Sequence, residues 1–245
     1  MCAILHVFSC PVSVLYPRYY TGRMPIKALF FDVGNTLLFP NRNQVLAALH
    51  QRQIFPSPDL LQKIERQTKR EFDSLAESNS TVDHGFWHIY YSHLLDELGT
   101  PDEDIRADLV SRTRISANCD IRPHTREVLL RLAERYRLGV ISNADGKIVE
   151  ILEHCGIADC FETITDSGIV GKEKPHPGIF EAAVRSLNVT PAESLYTGDL
   201  YSVDYLGATR FGMQSVLFDV VAAYKDTDLP RVESLEQLEL RLRTA

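Results

Sequence analysis

The sequence predicts an α/β fold, a doubly wound parallel sheet with an α-helical domain inserted after its first strand. Two observations predict it. From residue 121 onward, short apolar runs alternate with helix-periodic segments, the pattern of parallel strands joined by crossover helices on both faces of a sheet. Ahead of them an isolated strand-like run at 27–32 is followed by a stretch, 43–116, with helical periodicity and little strand signal. A chain of 245 residues is long enough to bury a large core in one domain or two modest ones.

The first 23 residues are apolar but lack a basic leading segment and a small-residue cleavage site. They are expected to be an extension outside the fold, with Met24 beginning the functional chain. The strand 27–32 ends in Asp32, a turn covers 33–36, and Pro40-Asn41 marks a change of character. The segments VLAALHQR, DLLQKIERQTKREFDSLA, GFWHIYYSHLLDEL and DEDIRADLVSRTRI each place apolar residues at helical spacing. Ser57-Pro58 and Thr100-Pro101 stand at expected helix starts, with proline at the first helical position and acids in the first turn. After Ile121-Arg122-Pro123 the expected order is helix 124–135, strand 137–142, helix 145–155, a strand near 161–165, helix 177–187, strand 194–198, helix 202–211 and strand 214–218. EQLELRLR is expected to close the chain as a surface helix. The core is therefore assigned to 24–39 and 119–245 and the inserted helical domain to 40–118.

The net charge of −7 argues against a general nucleic-acid surface, and no apolar run is long enough to span a bilayer. Five cysteines, an odd number without metal-site spacing, point to neither a disulfide framework nor a zinc site and fit a reducing cytoplasm. Cys155 and Cys160, flanking a helix end, read as small buried thiols.

Reactive groups in such sheets gather at the C-terminal ends of the strands. Four strand ends carry them: Asp32; Ser142 and Asn143 in VISNADG; Lys174 in GIVGKEKPHPGIF; and Asp199 with Asp204 in GDLYSVD. Carboxylate oxygens suit Mg²⁺, a lysine offsets phosphate charge, and a hydroxyl donates to a phosphoryl oxygen. Lys172 competes with Lys174, but the proline after Lys174 favours the latter. Asp145 reads as the N-cap of the helix that follows. Asp204, on the first turn of a helix, can also serve only the helix dipole.

Taken in order, FFDVGNTLL, VISN, GKEKPHPGIF and GDLYSVDYLGATRFGM resemble the haloacid dehalogenase superfamily, its phosphatase-like branch with an inserted helical cap. The resemblance runs from Met24 onward and implies a Rossmann-like core and a role for each matching residue. Asp32 is implied as the nucleophile that forms an aspartyl-phosphate and as a Mg²⁺ ligand, Gly34 as a metal ligand through its carbonyl, and Asp199 as a direct metal ligand. Asp204 is implied as its supporting partner, Ser142 as a phosphoryl ligand with Asn143 supporting the loop, and Lys174 as the cation that neutralises transferred charge. Thr36 is expected to fix the turn. The implied partner is a small phosphorylated metabolite, with no nucleic acid or membrane; the oligomeric state is not read from the sequence.

One position departs from the pattern. Phosphatases of the superfamily carry a second aspartate two residues after the nucleophile, which protonates the leaving group and activates water; here that position is Gly34. Such acid–base help is worth about 10²–10⁴-fold. The expectation is a phosphatase of reduced or restricted activity, beside three alternatives. The first is a phosphoryl-binding or regulatory protein. The second is a dehalogenase, which in the family has an aromatic residue at this position and no metal. The third is a phosphonate-cleaving enzyme, which has a small residue there but needs a cap lysine for a Schiff base. Lys63 and Lys69 lie on a helix face that reads as charged and solvated, which counts against the third.

Trp87, Tyr90, Tyr91, His84 and His88 share one expected helix, where an aromatic stripe is more often core than pocket. Asn41 and Arg42 stand at the entrance to the helical domain, facing substrate or solvent.

Overall fold

The computed structural model describes residues 25–78, 85–114 and 118–243. Its centre is a six-stranded parallel sheet in the order β5-β4-β1-β6-β7-β8. The strands are β1 (Ala28–Phe31), β4 (Arg137–Ser142), β5 (Thr163–Asp166), β6 (Ser194–Gly198), β7 (Gln214–Phe218) and β8 (Arg231–Val232). β1 lies between β4 and β6, with Phe31 opposite Val140 on one side and Thr197 on the other. The first strand in sequence is thus central, its pairing partners supplied by chain that follows the helical insertion.

Successive side chains of a strand point to opposite faces, and all four residues of β1 are buried. Leu29 and Phe31 pack with α6 (Thr125–Ala133), α7 (Ile148–His154) and α11 (Leu235–Arg243); Ala28 and Phe30 pack with α9 (Pro177–Ser186) and α10 (Leu206–Phe211). Helices therefore cover both faces, as the alternating pattern predicts.

The insertion is helical: α1 (Arg42–Val45), α2 (Ala47–His50), α3 (Pro58–Ser78), α4 (Phe86–Glu97) and α5 (Glu103–Thr113). They enclose their own apolar cluster, including Leu49, Ile64, Phe72, Tyr91, Leu94 and Leu109. α3 starts at Pro58 with the Ser57 hydroxyl accepting from Leu60 N at 3.2 Å. α5 starts later than expected, because Asp102, not Thr100, provides the N-terminal cap by accepting from Ile105 N at 3.0 Å. An antiparallel ribbon of β2 (Leu38–Pro40) and β3 (Cys119–Ile121) carries the chain into and out of the insertion.

Three local expectations are corrected. The helix 202–211 opens as a π-helical turn, Tyr201–Tyr205, before α10. Asp145 does not cap α7. That role falls to Asp166 at the end of β5, whose carboxylate accepts from Gly146 N and Ile148 N at 3.0 and 3.1 Å and also caps the short α8 (Ser167–Val170) through Gly168 N. The turn after Asp32 is held by backbone bonds from Leu37 and Leu38 N to Val33 O, while the Thr36 hydroxyl is buried with no partner among the described residues. Cys160 is buried and free, Cys155 and Cys119 are partly buried and free, and Cys2, Cys10 and His84 lie outside the described residues. No helix among the described residues is long and apolar enough to cross a membrane.

Candidate active site

The parallel sheet sends β1, β4 and β6 toward one edge, and the groups expected at their ends lie there. Asp32 follows β1 directly, and its backbone N–H donates to Thr197 O at 2.9 Å, which continues the ladder to the carboxylate-bearing residue. Lys174 converges from the loop before α9. Its buried ammonium donates to Asp32 Oδ1 at 2.5 Å, to Asp204 Oδ1 at 2.8 Å and to the Tyr196 hydroxyl at 2.8 Å. Those bonds use all three ammonium protons. Lys172, by contrast, is exposed.

Asn143 fixes the loop that delivers this lysine. Its side chain accepts from Lys174 N at 2.7 Å and donates to Lys174 O at 3.0 Å. Ser142, the last residue of β4, is buried at the same edge of the sheet. Asp204 stands on the π-helical turn and accepts from Leu200 N at 3.0 Å through its other oxygen. It packs against Gly198, where a Cβ would come within 2.5 Å of the Asp204 carboxyl carbon. The residue before Asp199 is therefore glycine because a carboxylate lies against it.

One oxygen from each of Asp32, Asp199 and Asp204 can be chosen so that all lie within 4.8 Å of one another, and all three residues are buried. Burial, followed by the opposing pull of Lys174, governs the Asp32 carboxyl, which is pushed up to about 7. The Asp199 carboxyl is pushed up to about 6 by burial, against the pull of Lys69. Hard oxygens crowded in this way are the donor set expected for a divalent cation.

Lys69 is the correction that matters most. The face of α3 that reads as solvated is docked on the core. Lys69 is fully buried, with its ammonium 2.9 Å from Asp199 Oδ2, 3.3 Å from Asp199 O and 3.7 Å from Glu65 Oε1. Its neighbours on that face hold the helix in place. Arg66 donates to Val221 O at 3.2 Å and Arg70 to Ala223 O at 3.0 Å. Asp73 accepts from Ser202 N at 2.8 Å and from the Tyr224 hydroxyl at 2.6 Å. The pattern of a charged face cannot tell water from a surface rich in backbone carbonyls. Lys63 does behave as expected: it is exposed and paired with Glu97.

The site thus sets three carboxylates, with Glu65 as a fourth acid beside Lys69, against two ammonium groups, so that acidic groups outnumber basic ones. Tyr196 is the other participant that the sequence does not announce. It reads as one more residue of a buried strand, but its hydroxyl also donates to Asp204 Oδ1 at 2.8 Å. Gly34 has open space around it: a Cβ there would meet no atom within 4 Å, and its backbone is not in the left-handed region.

Between helical insertion and core is a cavity of about 310 Å³ that reaches Asn35 in the turn after Asp32. Trp87, Tyr90 and Tyr91 line it while also belonging to the insertion's own apolar cluster, so the aromatic stripe is core and pocket at once. Arg42 lines it too; His88 is exposed and does not, and Asn41 caps α1 and donates to Asp120 at 2.7 Å.

Comparison with known proteins agrees with this architecture. The family model for haloacid dehalogenase-like hydrolases matches residues 26–212. Among curated relatives, the chain is 30% identical to glyceraldehyde 3-phosphate phosphatase of Pyrococcus abyssi, over 79% of this chain and 81% of that protein. It is 26% identical to the 5-amino-6-(5-phospho-D-ribitylamino)uracil phosphatase YigB of Escherichia coli, over 88% and 95%. Among solved structures, the hydrolase YfnB of Bacillus subtilis, bound to magnesium, superposes with a TM-score of 0.66 at 17% identity, covering 89% of this chain and 99% of that one. With fold, ordered motifs and family match in agreement, the chain belongs to the haloacid dehalogenase-like hydrolases.

Proposed function

We propose that this protein is a Mg²⁺-dependent phosphatase that cleaves a small phosphorylated metabolite through an aspartyl-phosphate on Asp32. The observation that carries the reading is the meeting at one buried point of Asp32 from the end of β1, Asp199 and Asp204 from the end of β6 and the turn after it, and Lys174 from the loop before α9. In this reading 24–39 and 119–245 form the catalytic core, 40–118 forms the cap, and the protein works in the cytoplasm; residues 1–23 lie outside the described residues.

The Asp32 carboxylate attacks phosphorus as the ester P–O bond breaks, and the electron pair leaves with the alcohol oxygen. Lys174 keeps Asp32 in place and opposes charge on the transferring group, while Asn143 keeps Lys174 in place. Ser142 binds a phosphoryl oxygen. Asp32, Asp199, Asp204 and the Gly34 carbonyl would hold Mg²⁺, which when bound supplies positive charge to the phosphoryl oxygens. The surplus negative charge and the crowded oxygens fit such a cation. Water then attacks phosphorus, which releases inorganic phosphate and regenerates the carboxylate. Gly34 leaves both half-reactions without their usual proton carrier, so esters with good leaving groups are cleaved best and the phosphoenzyme persists.

Rapid-quench kinetics with an aryl phosphate and Mg²⁺ test this. A product burst followed by slow turnover, absent in Asp32→Asn, is expected. No burst and no turnover across a panel of phosphate esters would favour a binding protein, and metal-free halide release from a haloacid would favour a dehalogenase.

A second reading gains from the buried Lys69. A small residue at position 34 with a lysine from the cap is the combination that a phosphonate-cleaving relative needs. Against it, the Lys69 ammonium is held by Asp199 and Glu65, which keeps it charged and unable to attack a carbonyl. Borohydride in the presence of a β-carbonyl phosphonate separates the two: the phosphatase reading predicts no covalent adduct at Lys69.

A further inference from the structure

We propose that the cavity between cap and core selects phosphate esters whose leaving group carries a second negative charge, bound by Arg42 and Arg122. The inference rests on the phosphatase reading and names the substrate class of that same site.

The cavity reaches the turn beside the nucleophile, although Asp32, Ser142, Lys174, Asp199 and Asp204 do not themselves line it. Asn35 of the turn that follows Asp32 lines it. So does Glu65, whose carboxylate lies 3.7 Å from the ammonium of Lys69, which in turn reaches Asp199. An ester bound with its phosphoryl group at Asp32 has this space for its leaving group. About 310 Å³ is at the lower end for small-molecule pockets and suits a metabolite, not a nucleotide or a peptide.

The charge on its walls is unbalanced. Arg42 and Arg122 both line the cavity, and neither has a carboxylate within ion-pairing distance among the described residues. Arg122 stacks over the Phe39 ring, 4.2 Å from its centroid, which fixes the guanidinium plane while leaving its edge N–H groups open to a ligand. Burial disfavours its charge, as does the neighbouring Arg42, and the attraction of Glu65 and Glu236 only partly offsets them. Glu65, the one acid among the described residues on these walls, lies 3.7 Å from the Lys69 ammonium. The rest of the wall includes Trp87, stacked on Tyr91 with centroids 5.9 Å apart, an apolar surface that strengthens charge-assisted hydrogen bonds at its rim. In a chain of net charge −7, two unpaired guanidiniums around one cavity are a recognition feature for an anion.

The test compares 4-carboxyphenyl phosphate with its neutral isostere, 4-carbamoylphenyl phosphate. Binding is measured by calorimetry with Mg²⁺ in the full-length Asp32→Asn protein, so that turnover plays no part. The carboxylate ester is expected to bind about tenfold more tightly. Arg42→Gln and Arg122→Gln, added singly, should remove that preference while changing the affinity for the carbamoyl ester less than about twofold. Circular dichroism and thermal melting confirm that the variants fold. Equal affinities for the two esters, or arginine variants that weaken both alike, would overturn the inference. Because the readout is binding, it stands or falls apart from the burst experiment: a protein that prefers the carboxylate ester but shows no burst retains the subsite and loses the phosphatase reading.

Discussion

Lys174 and Lys69 approach the same acidic cluster from different parts of the chain. Lys174 comes from a core loop before α9, pinned by Asn143, and spends its protons on Asp32, Asp204 and Tyr196. Lys69 comes from the middle of a helix in the insertion and meets Asp199 and Glu65. Both are buried, and a buried cation is tolerable only when well paired. The difference is in what each depends on. Lys174 is part of the sheet edge wherever the insertion sits, whereas Lys69 is in the site only while α3 stays docked through Arg66, Arg70 and Asp73. In the proposed mechanism the core supplies the chemistry, and the insertion adds a second cation to the acidic cluster.

The largest expected effect breaks the core half of this comparison. Lys174→Met leaves Asp32 and Asp204 buried without their cation. Turnover should fall at least about 10³-fold and stability by about 3–5 kcal/mol, read by steady-state kinetics and urea unfolding. Lys69→Met should cost turnover less, on the order of 10²-fold. Its signature is spatial: hydrogen exchange should quicken along α3 and in the 219–226 loop. That protection should survive in Lys174→Met, and faster exchange there in both variants would erase the distinction between the two lysines.

Gly34→Asp sharpens the core half in the other direction. A Cβ at position 34 has open space, so a side chain can start there without a clash, and turnover should rise about 10²-fold as the phosphoenzyme burst disappears. An unchanged rate would show that proton transfer is not what limits this enzyme.

The smallest effect is on stability against pH. The Asp32 carboxyl, raised to about 7 by burial, takes up a proton on folding anywhere between its ordinary carboxylate range and about 7. Its contribution to stability is therefore fully present at low pH and is lost as pH rises through about 7. In EDTA, the stability difference between Asp32→Asn and the unmodified protein, from urea unfolding, should grow in favour of the variant from pH 5 to pH 8. A difference independent of pH would show that Lys174 fully compensates the carboxylate.

The two lysines also show what was legible beforehand. Strands Arg137–Ser142, Ser194–Gly198 and Gln214–Phe218 coincide with their expected bounds, because each is a short apolar run bounded by helix or turn signals. Lys174 was legible because the proline after it and the helix start that follows mark its place, although it stands in the loop after α8 and not at a strand end as expected. Lys69 was not, because helical periodicity separates apolar from polar faces and says nothing of what a polar face touches. Tyr196 was hidden for the converse reason: in a buried strand an aromatic residue reads as filler, and its hydroxyl is noticed only once Asp204 and Lys174 are seen beside it. β2, β3 and β8 were too short, at two or three residues each, to stand out from loop. The cavity arginines were only half visible, since Arg42 could be placed at the domain entrance but Arg122 meets it only through the β2–β3 ribbon.

The most direct test of the central claim, that Asp32 is the nucleophile of a phosphoryl-transfer site, is acid-quenched mass spectrometry of the full-length protein with Mg²⁺ and an aryl phosphate. The account predicts a transient gain of one phosphoryl group, lost on treatment with hydroxylamine and mapped to the peptide that contains Asp32, because Gly34 leaves its hydrolysis slow. A phosphoryl group on another residue, or turnover that proceeds undiminished in Asp32→Asn, would contradict it.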